Sequence, residues 1–199
     1  MVLRRALTEL MALLTLAALA QLLFWGPQLP DRVASHFDLN DHVNGWMDRT
    51  PFLVITALLP VLMAGLFLGL SLLIARIPDA LINLPHKDYW LAPSRRAESL
   101  AHTASCLLAI GCATQLLLLV IFEATFELNA DLESHAASAG GAAGTVPQLV
   151  LPLPFLAVMG LYLATVATLI AWMLWRFRKP AAPGAAPNDQ RAALGAKRT

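Results

Sequence analysis

Two histidines and several carboxylates crowd one short stretch of this chain. His36-Phe37-Asp38-Leu39-Asn40-Asp41-His42 is followed closely by Gly45-Trp46-Met47-Asp48-Arg49. Imidazole and carboxylate together suit a divalent metal, since neutral His favours zinc or copper and carboxylates complete a mixed site. The candidate ligands are His36, Asp38 and His42, although their spacing matches no established metal signature. His36 with Asp38 would also make an acid–base pair. No Ser or Cys lies in a nucleophile motif, and the chain carries neither a phosphate loop nor a cofactor fingerprint. A plainer role accounts for the same residues: His36 bonds to a turn, and Trp46 anchors the stretch at a membrane interface. The expectation is therefore a binding stretch with no catalytic residue and no resident cofactor.

Two further groups could act on ligands. Glu123, Glu127, Asp131 and Glu133 form an acidic cluster able to attract cations or a cationic peptide, or simply a solvated helix end. His102, Thr103, Ser105, Thr114 and Gln115 give one apolar segment a polar stripe. Such side chains usually hydrogen-bond to neighbouring helices. The absence of Asp, Glu, Lys or Arg at mid-segment argues against a pump or coupled transporter. Cys106 and Cys112 are separated by about 600° of helical turn, so no intrachain disulfide is expected and both read as small packing residues.

The elements that position these residues follow from hydropathy. The chain of 199 residues is 58% hydrophobic and 14% charged, whereas soluble domains are nearer a quarter charged. Its mean hydropathy is +0.63. A helix crossing ~30 Å of hydrocarbon needs about 20 apolar residues. Four segments qualify, at about 6–25, 52–75, 100–122 and 149–175. The run Arg4-Arg5, apolar stretch, Ala18-Leu19-Ala20 imitates a cleavable signal, but the apolar stretch continues to Trp25, so a retained anchor is expected.

Charge assigns the sides. Arg4 and Arg5 precede the first segment, only Arg32 and Arg49 follow it, and Arg76, Lys87, Arg95 and Arg96 follow the second. The third connection has none, and the tail carries Arg176, Arg178, Lys179, Arg191, Lys197 and Arg198. Twelve of the fourteen positive side chains thus fall on one side of an alternating path. This is the positive-inside pattern of a four-span membrane protein with both termini in the cytoplasm. The outer connections set two arginines against eight carboxylates, while the inner side has an excess of positive charge that suits anionic lipid. Nothing points to nucleic acid.

The expected fold class is all-α integral membrane: an antiparallel four-helix transmembrane bundle over residues 1–179, with a disordered cytoplasmic tail over 180–199. An ordered extracytoplasmic loop covers 26–51 and a cytoplasmic loop covers 76–99. The third connection should begin as a helical extension and turn Ala/Gly-rich over 136–144, with Pro152 and Pro154 loosening the first turns of the last span. Gly65 and Gly69, at i and i+4, permit close helix approach and a helix-mediated homo-oligomer.

Two motifs carry a resemblance. The stretch from Leu29-Pro30-Asp31-Arg32 through His36-Phe37-Asp38, with Gly45-Trp46-Met47-Asp48-Arg49, resembles the domain of unknown function 1648, the N-terminal membrane region of SdpI-type bacterial immunity proteins. The stretch Asn83-Leu84-Pro85-His86-Lys87-Asp88-Tyr89-Trp90-Leu91-Ala92-Pro93-Ser94-Arg95-Arg96 looks like a cytoplasmic motif that often accompanies it. The chain departs at Asp41, where the family often has Gly, and at Asn44, where Asp is common before Gly-Trp. The additional C-terminal membrane region of full SdpI-type proteins is not expected in a chain of four spans.

The resemblance implies binding, sensing or protection against an extracytoplasmic ligand such as a cationic peptide toxin, or contact with an envelope protein. His36, Phe37, Asp38, Gly45, Trp46 and Arg49 would then form the outer site. Asn83, Pro85, Tyr89, Trp90, Arg95 and Arg96 would form the inner surface that reports it. The competing expectations are a membrane-embedded, metal-dependent enzyme working through His36, Asp38 and His42, and a structural subunit packing through Gly65 and Gly69.

Overall fold

The computed structural model describes residues 2–138, with side chains as far as 132, and residues 154–178. The expected tail at 180–199, the stretch 139–153 that includes Pro152, and the side chain of Glu133 lie outside the described residues. In chain order the elements are α1 (Val2–Trp25), β1 (Arg32–Phe37), β2 (Val43–Asp48), α2 (Arg49–Leu73), the single turn α3 (Lys87–Trp90), α4 (Arg96–Ser138) and α5 (Phe155–Arg176). Short 3-10 turns occupy Gly26–Gln28 and Asp79–Leu81. Four helical stretches are long and apolar enough to cross a bilayer: Val2–Gln28, Arg49–Leu73, Arg96–Leu132 and Phe155–Arg176. This is a mostly helical membrane protein.

Backbone polarity explains why the spans are helices, because hydrocarbon offers no partner to an open N–H or C=O. Helix α2 starts directly from the hairpin, and Pro51 is tolerated in its first turn, where N–H groups lack intrahelical partners. Helix α5 begins immediately after Pro154, later than the apolar run alone suggests. Helix α4 continues well beyond the apolar segment, as the spacing of Glu123 and Glu127 implied.

Helices α1, α2 and α4 pack on one another, while α5 packs mainly on α4 and buries none of its own residues. The shared core contains Met11, Ala64, Leu108 and Cys112. Gly111 marks the closest approach: a Cβ there would lie 2.4 Å from the Met11 methyl and 2.7 Å from the Phe67 ring. Gly65 and Gly69 differ, since nothing among the described residues lies within 4 Å of a Cβ at either place. They face outward. Cys106 and Cys112 are both buried and free.

Contacts along the helices give their senses. The Arg4 guanidinium donates to the Ser71 carbonyl at 3.3 Å, and Gln115 joins Thr15 to the Pro60 carbonyl, so α1 and α2 run oppositely. Thr114 meets Tyr162 at 3.1 Å and Glu98 meets Arg176 at 3.2 Å, so α4 and α5 also run oppositely. The carboxamide of Gln115 is fully buried. Its Nε2 donates to Thr15 Oγ1 and to the Pro60 carbonyl, both at 2.8 Å. The Pro60 oxygen can only accept, which fixes the amide orientation and leaves Gln115 Oε1 without a protein partner among the described residues.

Candidate functional site: a clamped hairpin

The connection between the first two spans is a β-hairpin, so the all-helical expectation gains a small two-stranded sheet. Strands β1 and β2 are antiparallel, with Arg32 opposite Asp48, Val33 opposite Met47, Ala34 opposite Trp46 and Phe37 opposite Val43. The register shifts on both sides of His36, which pairs with Gly45. An irregularity of this kind sharpens local twist and re-aims a side chain. Gly45 is required by that pairing: a Cβ there would sit 2.9 Å from His36 Cβ and 3.2 Å from its ring. This is the physical content of the Gly-Trp motif. The glycine lets the imidazole lie across the partner strand, and Trp46 beside it points outward, 43% exposed.

The turn is built by Asp38. Its carboxylate accepts the N–H groups of Asn40 at 2.8 Å and His42 at 3.0 Å, and its own N–H donates to the His42 carbonyl at 2.8 Å. The His42 and then the Asn40 backbone bonds hold the Asp38 carboxyl below its ordinary value of 3.8. The His42 ring lies 3.6 Å from the other oxygen of that carboxylate. Asp41 takes the left-handed backbone, φ 64°, which Asp tolerates better than most residues. Its carboxylate reaches across to accept the Phe155 N–H at 3.2 Å, at the start of α5.

Besides that bond, three attachments hold the hairpin to the helices. The base is closed by the Arg49 N–H donating to the Asp31 carbonyl at 2.9 Å. One apolar side docks through Leu29, Val33, Phe52 and Phe126, with Phe52 and Phe126 edge to face at 5.9 Å. The third attachment is Asn129 on α4, fully buried. Its Oδ1 accepts the Ala34 N–H at 2.7 Å, and its Nδ2 donates to the Ala34 carbonyl at 3.0 Å and to the Thr125 carbonyl at 2.8 Å. One carboxamide thus stands where a third strand would pair with β1, which satisfies an edge that is otherwise open. Beside it, Glu123 accepts from Gln21 and from the Trp25 indole, tying α1 to α4.

The residues singled out by spacing therefore lie along one hairpin and the start of α2, in differing settings. His36 and Trp46 are exposed; Phe37, Asp38, Gly45 and Arg49 are half-buried. Ser35 Oγ lies 2.9 Å from His36 Nδ1. The structure joins Asp38 to His42, yet among the described residues no three His, Cys, Asp or Glu side chains come together as a metal would require. Of the expected ligand set, Asp38 and His42 lie side by side, and the His36 ring lies over Gly45.

At the opposite end, the second motif forms a plug rather than an open surface. Trp90 is buried against Leu84, Leu91, Leu100 and Phe177. Its indole N–H donates to the Phe177 carbonyl at 2.7 Å, and its own carbonyl accepts from Ser99 at 2.9 Å. Arg96 binds Asp79 at 2.9 Å and the Ile77 carbonyl at 3.3 Å, closing the chain that leaves α2. Arg95 stacks on Tyr89 at 4.1 Å, and Arg176 lies over Trp90 at 5.1 Å. Asn83 is exposed and Pro85 half-buried, just before the left-handed His86.

Asn129 and Asp41 were the residues that sequence reasoning did not assign to these contacts, whereas Gln115 makes the interhelical bonds expected of the polar stripe. An Asn within an apolar and acidic helix was the available signal for the first.

Residues 12–64 match the family model described as a domain of unknown function (DUF1648). The matched stretch takes in more than half of α1, the whole hairpin and about the first two thirds of α2, while Asn129, α5 and the Trp90 plug lie outside it. No curated protein and no solved structure matches the chain.

Proposed function

We propose that this DUF1648 protein is a bacterial inner-membrane receptor or protective protein, acting without catalysis. The hairpin is its extracytoplasmic recognition element. The spans form an antiparallel four-helix bundle with both termini and the Trp90 plug in the cytoplasm. The distribution of Lys and Arg supports that orientation.

One observation carries the reading: a hairpin fixed to the helices exposes Trp46, the residue after the Gly45 that pairs with His36. A fixed frame that presents an aromatic side chain suits recognition, since little ordering remains to oppose binding. The acidic excess of the outer connections favours a cationic peptide and would speed its approach. Resemblance to SdpI-type immunity proteins points to the same class of ligand.

A photo-crosslinker at Trp46 in native membranes tests this. Capture of a discrete secreted peptide, weakened by salt and lost in Trp46→Ala, is the expected result. Capture of lipid alone would overturn the reading and leave Trp46 as an interfacial anchor.

A further inference from the structure

We propose that α5 carries the state of the hairpin across the membrane to the Trp90 plug. The inference rests on the recognition reading above and names how that site is reported.

Helix α5 differs from the other spans in how it is held. Along its length it buries no residue and leans mainly on α4. A cavity of about 270 Å³, open to the surface of the helices, lies between the two, lined by Ala113, Leu117 and Val120 on one side and Val158, Leu161 and Tyr162 on the other. The polar tie between them at this depth is the hydroxyl pair Thr114–Tyr162. The ends are held differently, by groups from elsewhere in the chain. At one end the Phe155 N–H donates to the Asp41 carboxylate on the hairpin tip. At the other the Phe177 carbonyl accepts from Trp90, Phe177 is buried in the plug, and Arg176 binds Glu98.

A 22-residue helix is a rod of ~33 Å whose length is fixed by its own hydrogen bonds. A displacement at one end must therefore reappear at the other. The loosely packed side facing the cavity gives the rod room to take a second position, as coupling requires. The tip is built to pull. Asp38 fixes the turn, the left-handed Asp41 directs its carboxylate away from the strands, and a negative charge suits the positive end of α5. A ligand seated against Trp46 acts on a stiff two-stranded lever whose far end is that carboxylate. Coupling of this kind is reciprocal, so a change at Trp90 must also be felt in the turn.

The test is hydrogen exchange on the full chain in lipid nanodiscs, with no ligand added. Asp41→Gly removes the carboxylate and keeps the left-handed backbone accessible, whereas Asp41→Asn retains an acceptor oxygen. In Asp41→Gly, the Trp90 and Leu91 amides, bonded to the His86 and Lys87 carbonyls, should exchange about fivefold faster or more. Asp41→Asn should leave them near the parent rate. In the reverse direction, Trp90→Phe keeps the ring and loses the donor, and should accelerate the Asn40 and His42 amides. If Asp41→Gly speeds exchange in the turn alone, or if the Gly and Asn variants act equally on the plug, the proposal fails. Recognition at Trp46 is judged separately by crosslinking, so either idea can fall without the other.

Discussion

Replacing Asn129 by Ala should undock the hairpin while leaving the spans in place. The carboxamide makes two bonds to Ala34, at 2.7 and 3.0 Å, and Ala34 is fully buried. A neutral hydrogen bond contributes about 1 kcal/mol net, but a buried donor or acceptor left unpaired costs about 1–3 kcal/mol. Asn129→Ala strands one of each on the same residue, so the expected loss is roughly 2–5 kcal/mol of local docking energy. At 1.4 kcal/mol per factor of ten, amides of residues 32–48 should exchange about thirtyfold to a few thousandfold faster. The bundle does not depend on this contact, so protection in α1 and in the membrane portion of α4 should hardly change. Asn129→Asp should be no better than Ala: it keeps an acceptor for the Ala34 N–H but sets a carboxylate against the Ala34 carbonyl. Unchanged exchange over 32–48 in Asn129→Ala, with the fold intact, would refute the clamp.

Gly45→Ala should destabilise the hairpin by about 1–3 kcal/mol through overpacking against His36. Because the closest atom is His36 Cβ, His36→Gly should rescue it where His36→Ala relieves only the ring contact; thermal unfolding of the three proteins reads this. The depressed Asp38 carboxyl makes the turn acid-sensitive. Its contribution is complete above the ordinary carboxylate range and is lost as pH falls through the lowered folded value, so Asn40 and His42 amide protection should be flat from about pH 5 to 8 and fall below about pH 4. Asp38→Asn should flatten that acid limb. In the bundle, Gln115→Ala should cost more than Gln115→Leu, because Leu refills the volume while both lose interhelical bonds of about 0.6–1.7 kcal/mol each. Equal unfolding free energies in detergent would argue against tight packing around that carboxamide.

The spans were legible because bilayer thickness imposes one length and one composition, and Phe52–Leu73 or Leu100–Phe122 satisfies both without reference to any neighbour. The chemistry-bearing stretch was legible as a place and only partly as a shape. His36, Gly45 and Trp46 stood out, but the strands are short and mixed in polarity, and the pairing that explains Gly45 depends on a register irregularity that spacing does not encode. Asp41 was readable as a residue suited to the left-handed backbone, not as a partner of Phe155. The clamp was invisible for a physical reason. Asn129 and Ala34 are 95 residues apart, and neither has a local pattern that announces the other. Arg96 looked like exposed inner charge, whereas its guanidinium is occupied in holding the turn after α2.

The bond from Phe155 to Asp41 also sets an order of manufacture. Its two halves are 114 residues apart, so at 5–20 residues per second the hairpin tip exists for roughly 6–23 s before its partner is synthesised. Helices α1 and α2 and the strands between them can associate early, the clamp of Asn129 forms when α4 arrives, and the tip is secured only by the last helix. A chain truncated before Phe155 would therefore reach the membrane with its hairpin docked but its tip untied. The tip contact thus forms only once α5 has begun to emerge, and the contacts of Arg176 and Phe177 with the plug follow it.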